Sequence, residues 1–190
     1  MGTQEACLAL YDSPDLVKEI TNRTIDDFFT VYNHFDNLIK AKNQPSSTWM
    51  GIPSFGKMHI PSCDFSAMIS TAQFEEFYMP LLRKELLQTT HNVFHLDGKD
   101  VAKHVDLLLD IKEINAIQWV HGVGDDEPIM QWVAFIKKLQ ASGKALMLDM
   151  KLSELDEFMS AISPKGIMLC LSSNDENEQR EIIRKVEKWR

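Results

Sequence analysis

His95 and Asp97 are the two side chains in this 190-residue sequence whose types and spacing are best suited to chemistry. They lie two positions apart at the end of a predicted strand over residues 93–96, and alternate strand residues point to the same face of a sheet. An imidazole and a carboxylate on one face can contact a common ligand, or the carboxylate can orient the ring. The alternative is a structural pair, in which His95 is hydrogen-bonded in the interior and Asp97 caps the turn at Gly98.

Further polar side chains follow the other predicted strands. The carboxyl ends of parallel strands meet at one edge of a sheet, where α/β folds bind ligands, so we expect these side chains to share a site. The candidate catalytic residues are His95, Asp97 and His121, with His121 as a proton donor or acceptor. The candidate metal ligands are His95 and Asp97, and the candidate substrate-binding residues are Asp64, Asp149 and Ser173. The alternative is that each residue only caps a helix or forms a turn.

Two shorter motifs at this edge carry less weight. Residues 121–124 (HGVG) begin like a phosphate-binding loop, but the acidic run at 125–127 stands where the third glycine is needed and would repel a phosphate. We therefore predict a flexible turn. Cys63 has no base beside it, so we expect a buried or loop thiol rather than a nucleophile.

The elements that must position these residues alternate regularly in the second half of the sequence. The predicted strands are near-continuous apolar runs, which is typical of parallel strands covered on both faces. They span residues 58–64, 93–96, 116–120, 145–150 and 166–171. The predicted helices span residues 71–88, 100–109, 129–142, 155–162 and 175–189, with Ser70, Asp100, Ser153 and Asn174 among the caps. We predict an α/β fold of parallel βα units, with the strands in chain order.

The beginning of the sequence is predicted to be helical. Residues 14–41 form one amphipathic helix that starts at Ser13-Pro14-Asp15. Its apolar residues recur at helical spacing: Leu16, Ile20, Phe28, Val31, Phe35 and Leu38. A loop over residues 43–57 leads to the first strand. We predict a single domain over 1–190, with a helical segment over 1–45 and βα repeats over 46–190.

Composition argues against several classes of partner. The 20 basic and 28 acidic residues give a formal net charge of −8, so we expect no nucleic-acid partner. No apolar run approaches the roughly 18–20 residues of a membrane helix, so we expect no membrane partner. The three cysteines are far apart and odd in number, which favours a reducing compartment over a disulfide framework. We expect a cytoplasmic protein that acts on a small molecule.

Several segments together resemble one family of enzymes. Residues 63–70 (CDFSAMIS), followed by Phe74, Phe77 and Pro80, resemble the D-x-S-x-x-(L/I)-S-x-x-x-F-x-x-F-x-x-P block of the uroporphyrinogen decarboxylase family. Residues 94–98 (FHLDG) fall where its corrinoid-dependent methyltransferase members carry H-x-C-G. Residues 116–124 are similar to the strand and loop that follow, and residues 10–17 are similar to the family's Y-D-x-P-E-L-V helix start.

The resemblance implies a TIM-type (β/α)8 barrel, of which this sequence matches only the C-terminal part. It also implies a zinc site in the methyltransferase branch, held by one histidine and two cysteines. Here His95 matches the histidine, Asp97 replaces the first cysteine, and Ser173 stands where the second would be. The expected cofactor is therefore a divalent metal such as zinc at a His/Asp site rather than at a thiolate site.

Three functions follow from the residues and the resemblance. The first is a divergent family member nearest the methyltransferase-like branch, with a small-molecule substrate and a corrinoid protein as a possible partner. The second is a uroporphyrinogen decarboxylase of porphyrin biosynthesis, which we do not favour because the strand ends contain few arginines for its many carboxylates. The third is a non-catalytic half-barrel that binds a ligand or a protein.

Exposed edges also predict assembly. A half-barrel has two strand edges with unpaired backbone groups. We expect its inner face to lack cover as well, and we place there Phe94, Ile117, Trp119, Leu146 and Leu148. A homodimer of two half-barrels would bury both features. The alternative is a monomer covered by its own helix 14–41 and loop 43–57.

Overall fold

The computed structural model describes residues 2–122 and 128–189, so the predicted turn and acidic run at 123–127 lie outside the described residues. Two helices open the chain, α1 (Thr3–Asp12) and α2 (Pro14–Lys40). A small antiparallel hairpin follows, formed by β1 (Ser46–Ser47) and β2 (Pro53–Ser54). Helix α2 confirms the predicted helix over 14–41, whereas α1, which lies in the predicted helical segment 1–45, was not predicted as a separate helix.

Strands and helices then alternate as predicted. The strands are β3 (Met58–His59), β4 (His91–Asp97), β5 (Ala116–Val120), β6 (Ala145–Asp149) and β7 (Ile167–Cys170). The α-helices are α3 (Thr71–Gln73), α4 (Met79–Leu86), α5 (Val105–Leu109), α6 (Val133–Ala141), α7 (Leu155–Ala161) and α8 (Glu176–Val186). Among the described residues there are also one π-helix (Phe74–Tyr78) and four 3-10 helices: Asp64–Met68, Ala102–His104, Ile129–Trp132 and Leu152–Glu154.

The five strands β3 to β7 form one sheet in chain order, and every neighbouring pair is parallel. This confirms the predicted α/β sheet of βα units. Crossovers of one hand between sequential neighbours all fall on the same face of a sheet, as they do in α/β barrels. The architecture is therefore compatible with part of such a barrel.

The main core lies between the sheet and its helices. Alternate residues of the central strands are almost fully buried there: Phe94, Leu96, Ile117, Trp119, Leu146 and Leu148. They pack against helix residues such as Leu82, Leu108, Ile136 and Phe158. Five of these strand residues were predicted to line the inner face, and that prediction is wrong. A strand has a period of two, so an error of one position exchanges the two faces.

The opposite, inner face carries a smaller core and the side chains of His95, Asp97 and Asp149. Val93 and Met147 pack there with Met58 and with Met50, which lies in the tip of the hairpin. The loop predicted over 43–57 thus contains a hairpin that covers part of this face. Asp36 near the end of α2 accepts a hydrogen bond from the Ser46 hydroxyl (3.1 Å), which anchors the base of the hairpin.

Only one of the predicted helix caps is present in the structure. Ser70 and Gln73 form the predicted capping box at the start of α3. Asn174 is not the cap of the last helix, because the neighbouring Asp175 carboxylate accepts the N–H groups of residues 177 and 178. Asp100 and Ser153 are not caps either. The 3-10 helices that lead into α5 and α7 have no side-chain hydrogen bond at their N-terminal caps.

Two segments depart from their predicted shape. The strand predicted over 58–64 shortens to β3 plus one bridge between Ser62 and His95, and Asp64 begins a 3-10 helix instead. The bend expected near Pro80 takes the form of a π-helix over Phe74–Tyr78. Proline lacks an N–H and crowds the carbonyl four residues earlier, which accounts for the wider turn.

None of the helices in residues 2–122 and 128–189 is long and apolar enough to cross a membrane.

His104, at the start of α5, packs against the 3-10 helix Asp64–Met68 that precedes α3, and its titration makes this contact testable. It is buried, stacks on Phe74 at 4.3 Å between ring centroids, and its Nε2 donates to the Ser66 carbonyl (2.9 Å). Burial lowers the pKa of His104 from its ordinary value. The unfolded chain therefore binds a proton more readily than the folded protein, and stability falls as the pH drops below the ordinary value of about 6.5.

We expect His104→Gln to cost about 1–3 kcal/mol of unfolding free energy at neutral pH, because it loses the ring stack and most of the packing. The difference from the wild type should shrink as the pH falls, since the variant lacks the titrating ring. Urea melts at neutral and mildly acidic pH measure both effects. A constant difference across this range would contradict a neutral, buried His104.

Candidate functional site

Asp64, His95 and Asp97 come together at the carboxyl end of the sheet. One ligand atom from each lies within 4.8 Å of those of the other two, and His95 Nε2 is 3.9 Å from Asp97 Oδ2. The two β4 residues share a face because they are two positions apart on the strand. Asp64 is exposed, whereas His95 and Asp97 are half-buried.

The segment that carries Asp64 is held from two directions. Lys103 Nζ donates to the Ala67 carbonyl (2.9 Å), and His104 Nε2 donates to the Ser66 carbonyl within the same 3-10 helix. On the other side the Tyr78 hydroxyl donates to the Ser62 carbonyl (3.0 Å). Residues after β4 and in the π-helix thus position a carboxylate that the sequence places about 30 residues before His95.

A row of hydrogen bonds fixes the His95 ring. His95 Nδ1 is 2.7 Å from Gln118 Oε1, and Gln118 Nε2 donates to Asp149 Oδ2 (3.2 Å). An ionised carboxylate only accepts, so the Gln118 amide must turn its NH2 to Asp149 and its oxygen to His95. His95 Nδ1 is then the donor. In the neutral ring the lone pair is on Nε2, the nitrogen that faces Asp97.

Gln118 was not predicted as a site residue. It lies beside His95 in the β4–β5 register and is only 4% exposed. The sequence feature that could have identified it is that Gln118 is the single amide in the apolar run at 116–120. A buried amide needs partners, and both of its partners here are site residues.

Cys170 extends the row to the last strand. It is the register partner of Asp149, and burial raises the pKa of its thiol, as do the charge of Asp149 and a hydrogen bond to it. The thiol therefore stays protonated at neutral pH. Burial likewise raises the pKa of Cys63 to about 11, which agrees with the prediction of a buried thiol rather than a nucleophile.

Trp49 adds an aromatic wall that the sequence did not reveal. It lies in the hairpin tip, is 68% exposed, and approaches the His95 ring edge-on with centroids 5.2 Å apart. Its neighbour Met50 is buried on the inner face and holds the tip in place. The ring thus borders the site while most of its surface stays free for a ligand.

The other predicted site residues are distributed differently. Asp149 joins the site through Gln118, and His121 lies directly after β5 at the same edge, half-buried. Ser173 lines a cleft between β7 and α8, together with outward-facing residues such as Leu169. The Asp64, His95 and Asp97 side chains form the compact group.

This donor set fits a divalent cation. Two atoms that are each about 2.1 Å from one ion are at most about 4.2 Å apart, and the His95–Asp97 distance meets that limit. All three ligand atoms lie within 4.8 Å of one another, so at most one side chain has to move slightly inward. Asp64 is exposed and can do so. Zinc and manganese both accept one imidazole and two carboxylates as ligands, whereas a soft ion such as Cu(I) prefers sulfur ligands.

Comparison with protein-family models, with curated proteins and with solved structures finds no match to this chain.

Two glycines allow the strand ends beside the site to touch. Gly98 and Gly122 have φ values of +87° and +103°, and a Cβ on Gly122 would lie 3.3 Å from the Cα of Gly98. The Gly98 N–H also donates to the Val120 carbonyl (2.9 Å). The turns after β4 and β5 therefore pack backbone to backbone.

We expect Gly122→Ala to cost more stability than Gly143→Ala. Both positions have positive φ, worth about 1–3 kcal/mol of strain for a non-glycine residue. An added Cβ finds open space at Gly143 but meets Gly98 at Gly122. Thermal or urea melts of the two variants give the comparison. If both variants lose the same stability, the close approach of Gly122 to Gly98 makes no contribution to the cost of the substitution.

Proposed function

We propose that this chain is a divergent member of the uroporphyrinogen decarboxylase family, nearest its methyltransferase-like branch. On this proposal it binds a divalent cation through Asp64, His95 and Asp97 and acts on a small molecule at the carboxyl ends of the strands. The resemblance in sequence and the sheet of parallel βα units support the family. The convergence of the three ligand atoms within 4.8 Å carries the site.

The His95 ring is prepared for a cation on one nitrogen. Histidines that bind metals commonly donate their second N–H to a carboxylate, carbonyl or amide oxygen, which fixes the ring and its tautomer. Gln118 has this role here, and Asp149 in turn orients Gln118. The other nitrogen, Nε2, lies 3.9 Å from Asp97 Oδ2, and Asp64 completes the group of three.

Three protein ligands leave coordination positions for substrate or water, which is the arrangement of catalytic rather than structural sites. A bound zinc ion at such a site supplies a Lewis acid that lowers the pKa of a coordinated thiol, hydroxyl or water. The protein residues would bind and orient the substrate. Trp49 offers it an aromatic surface, and His121 lies at the same edge as a candidate proton donor or acceptor.

A metal titration tests the proposal. We expect calorimetry with zinc or manganese chloride to show one site per chain. His95→Gln and Asp97→Asn should each weaken binding by more than about 100-fold, because loss of a second-shell partner alone costs 10–100-fold.

His91→Gln is the matched control. His91 begins the same strand, about 13 Å from His95 along β4, and should leave the affinity unchanged. Metal binding that survives His95→Gln, or no binding by the wild type, would overturn the proposed site. Elemental analysis of the protein purified without chelator gives an independent reading.

Gln118→Met tests the orientation of the ring separately. The substitution roughly preserves volume but removes both hydrogen bonds, so we expect metal affinity to fall about 10–100-fold. Met147→Leu, on the same face of the next strand, is the control and should change affinity little. Unchanged affinity in Gln118→Met, with a normal circular dichroism spectrum, would show that the row of hydrogen bonds does not support the site.

A further inference from the structure

Trp49 is the one exposed tryptophan among the four in this chain, and the hairpin holds it in place. At the tip, the Gly51 N–H donates to the carbonyl three residues earlier (2.9 Å), which closes a tight turn with Trp49 at its corner. At the base, Lys40 Nζ of α2 donates to the Ser46 hydroxyl (2.6 Å) and to the Ser54 carbonyl (3.1 Å). Large aromatic side chains usually contribute through burial, yet 68% of this one is uncovered. The hairpin therefore presents an aromatic surface instead of burying it.

The indole of Trp49 borders the proposed metal site with most of both faces uncovered. Its plane is at 87° to that of the His95 imidazole, and the ring centroids are 5.2 Å apart. A perpendicular contact covers at most part of one face of the indole. The π face of tryptophan attracts a cation within about 6 Å of the ring centre, more strongly than the faces of tyrosine or phenylalanine do. His95 lies within that range, so one small molecule can contact the indole and the metal site together.

Three carboxylates at the same edge of the sheet have no basic partner. Among residues 2–122 and 128–189, no lysine or arginine forms an ion pair with Asp64, Asp97 or Asp149. Lys99 and Lys151 follow β4 and β6, and their interactions do not include an ion pair with these three side chains. A divalent cation balances two of the three negative charges, so the site still favours a positively charged ligand.

We propose that the ligand of this site is a compact organic cation, a quaternary or protonated amine, whose charged group lies on the face of Trp49. The inference rests on the proposed function, because it places the ligand beside the proposed metal site. The aromatic face attracts the positive charge, and the carboxylate charge that the metal leaves unbalanced adds to this attraction. A neutral molecule of the same shape gains only the contact area.

A matched pair of ligands measures the contribution of the positive charge. Choline chloride is the cationic probe, and dimethylbutanol, in which a carbon atom replaces the nitrogen, is its uncharged analogue of the same shape. We expect calorimetry on the zinc-loaded protein to show one choline site per chain. Dimethylbutanol should bind about 10-fold more weakly, which is the size of effect that a cation–π contact produces.

Substitutions of Trp49 locate the contact. Trp49→Leu should weaken choline binding about 10-fold, and Trp49→Phe should weaken it less, because a phenyl ring keeps a weaker π face. Neither variant should change the affinity for zinc, since Trp49 is not one of the three ligands. Phe55→Leu is the matched control, because Phe55 is equally exposed (67%) but lies after β2, at the other end of the hairpin. It should leave choline binding unchanged.

The same titrations separate this inference from the proposed metal site. A wild type that binds zinc but not choline overturns the inference and leaves the metal site standing. Equal affinities for choline and dimethylbutanol, or choline binding that Trp49→Leu leaves unchanged, also overturn it. A wild type that binds choline through Trp49 but does not bind zinc overturns the metal site and supports the aromatic contact.

Discussion

The packing of the helices against one face of the sheet is the constraint on which the rest of the structure depends. Parallel strands in chain order, joined by crossovers of one hand, place their helices on a single face. That face takes the large apolar residues, of which Phe94, Ile117 and Leu148 are fully buried. The inner face is thereby left for side chains that the core does not require, and His95, Asp97 and Asp149 lie there.

The inner face is organised by hydrogen bonds rather than by packing alone. From β4 to β7 the row His95, Gln118, Asp149, Cys170 crosses the sheet with one residue from each strand. Each member settles the orientation of the next, because the carboxylate accepts and the amide has one donor end and one acceptor end. The row also affects the site, because the hydrogen bond from His95 Nδ1 to Gln118 leaves His95 Nε2 as the nitrogen that faces Asp97.

The two edge strands of the sheet, β3 and β7, have different neighbours. At the β3 edge, α2 supplies the Tyr32 hydroxyl to a backbone carbonyl, and burial raises the pKa of Tyr32 to about 12, so this donor persists at all ordinary pH values. At the β7 edge, among the described residues, α8 stands off from the strand and leaves a cleft. A sheet edge with open backbone groups invites pairing with another chain.

The sequence by itself determined the alternation of strands and helices, the parallel order of the sheet and the edge at which His95, Asp97 and Asp149 lie. These follow from local apolar runs and from the period of two along each strand. The pairing of Asp64 with His95, the contact of Trp49 and the role of Gln118 were decided only by tertiary structure, because each joins segments 20 or more residues apart. The face assigned to Phe94 and Trp119 was also decided there. An apolar run looks the same from both faces, and only the helices packed against it distinguish the outside from the inside.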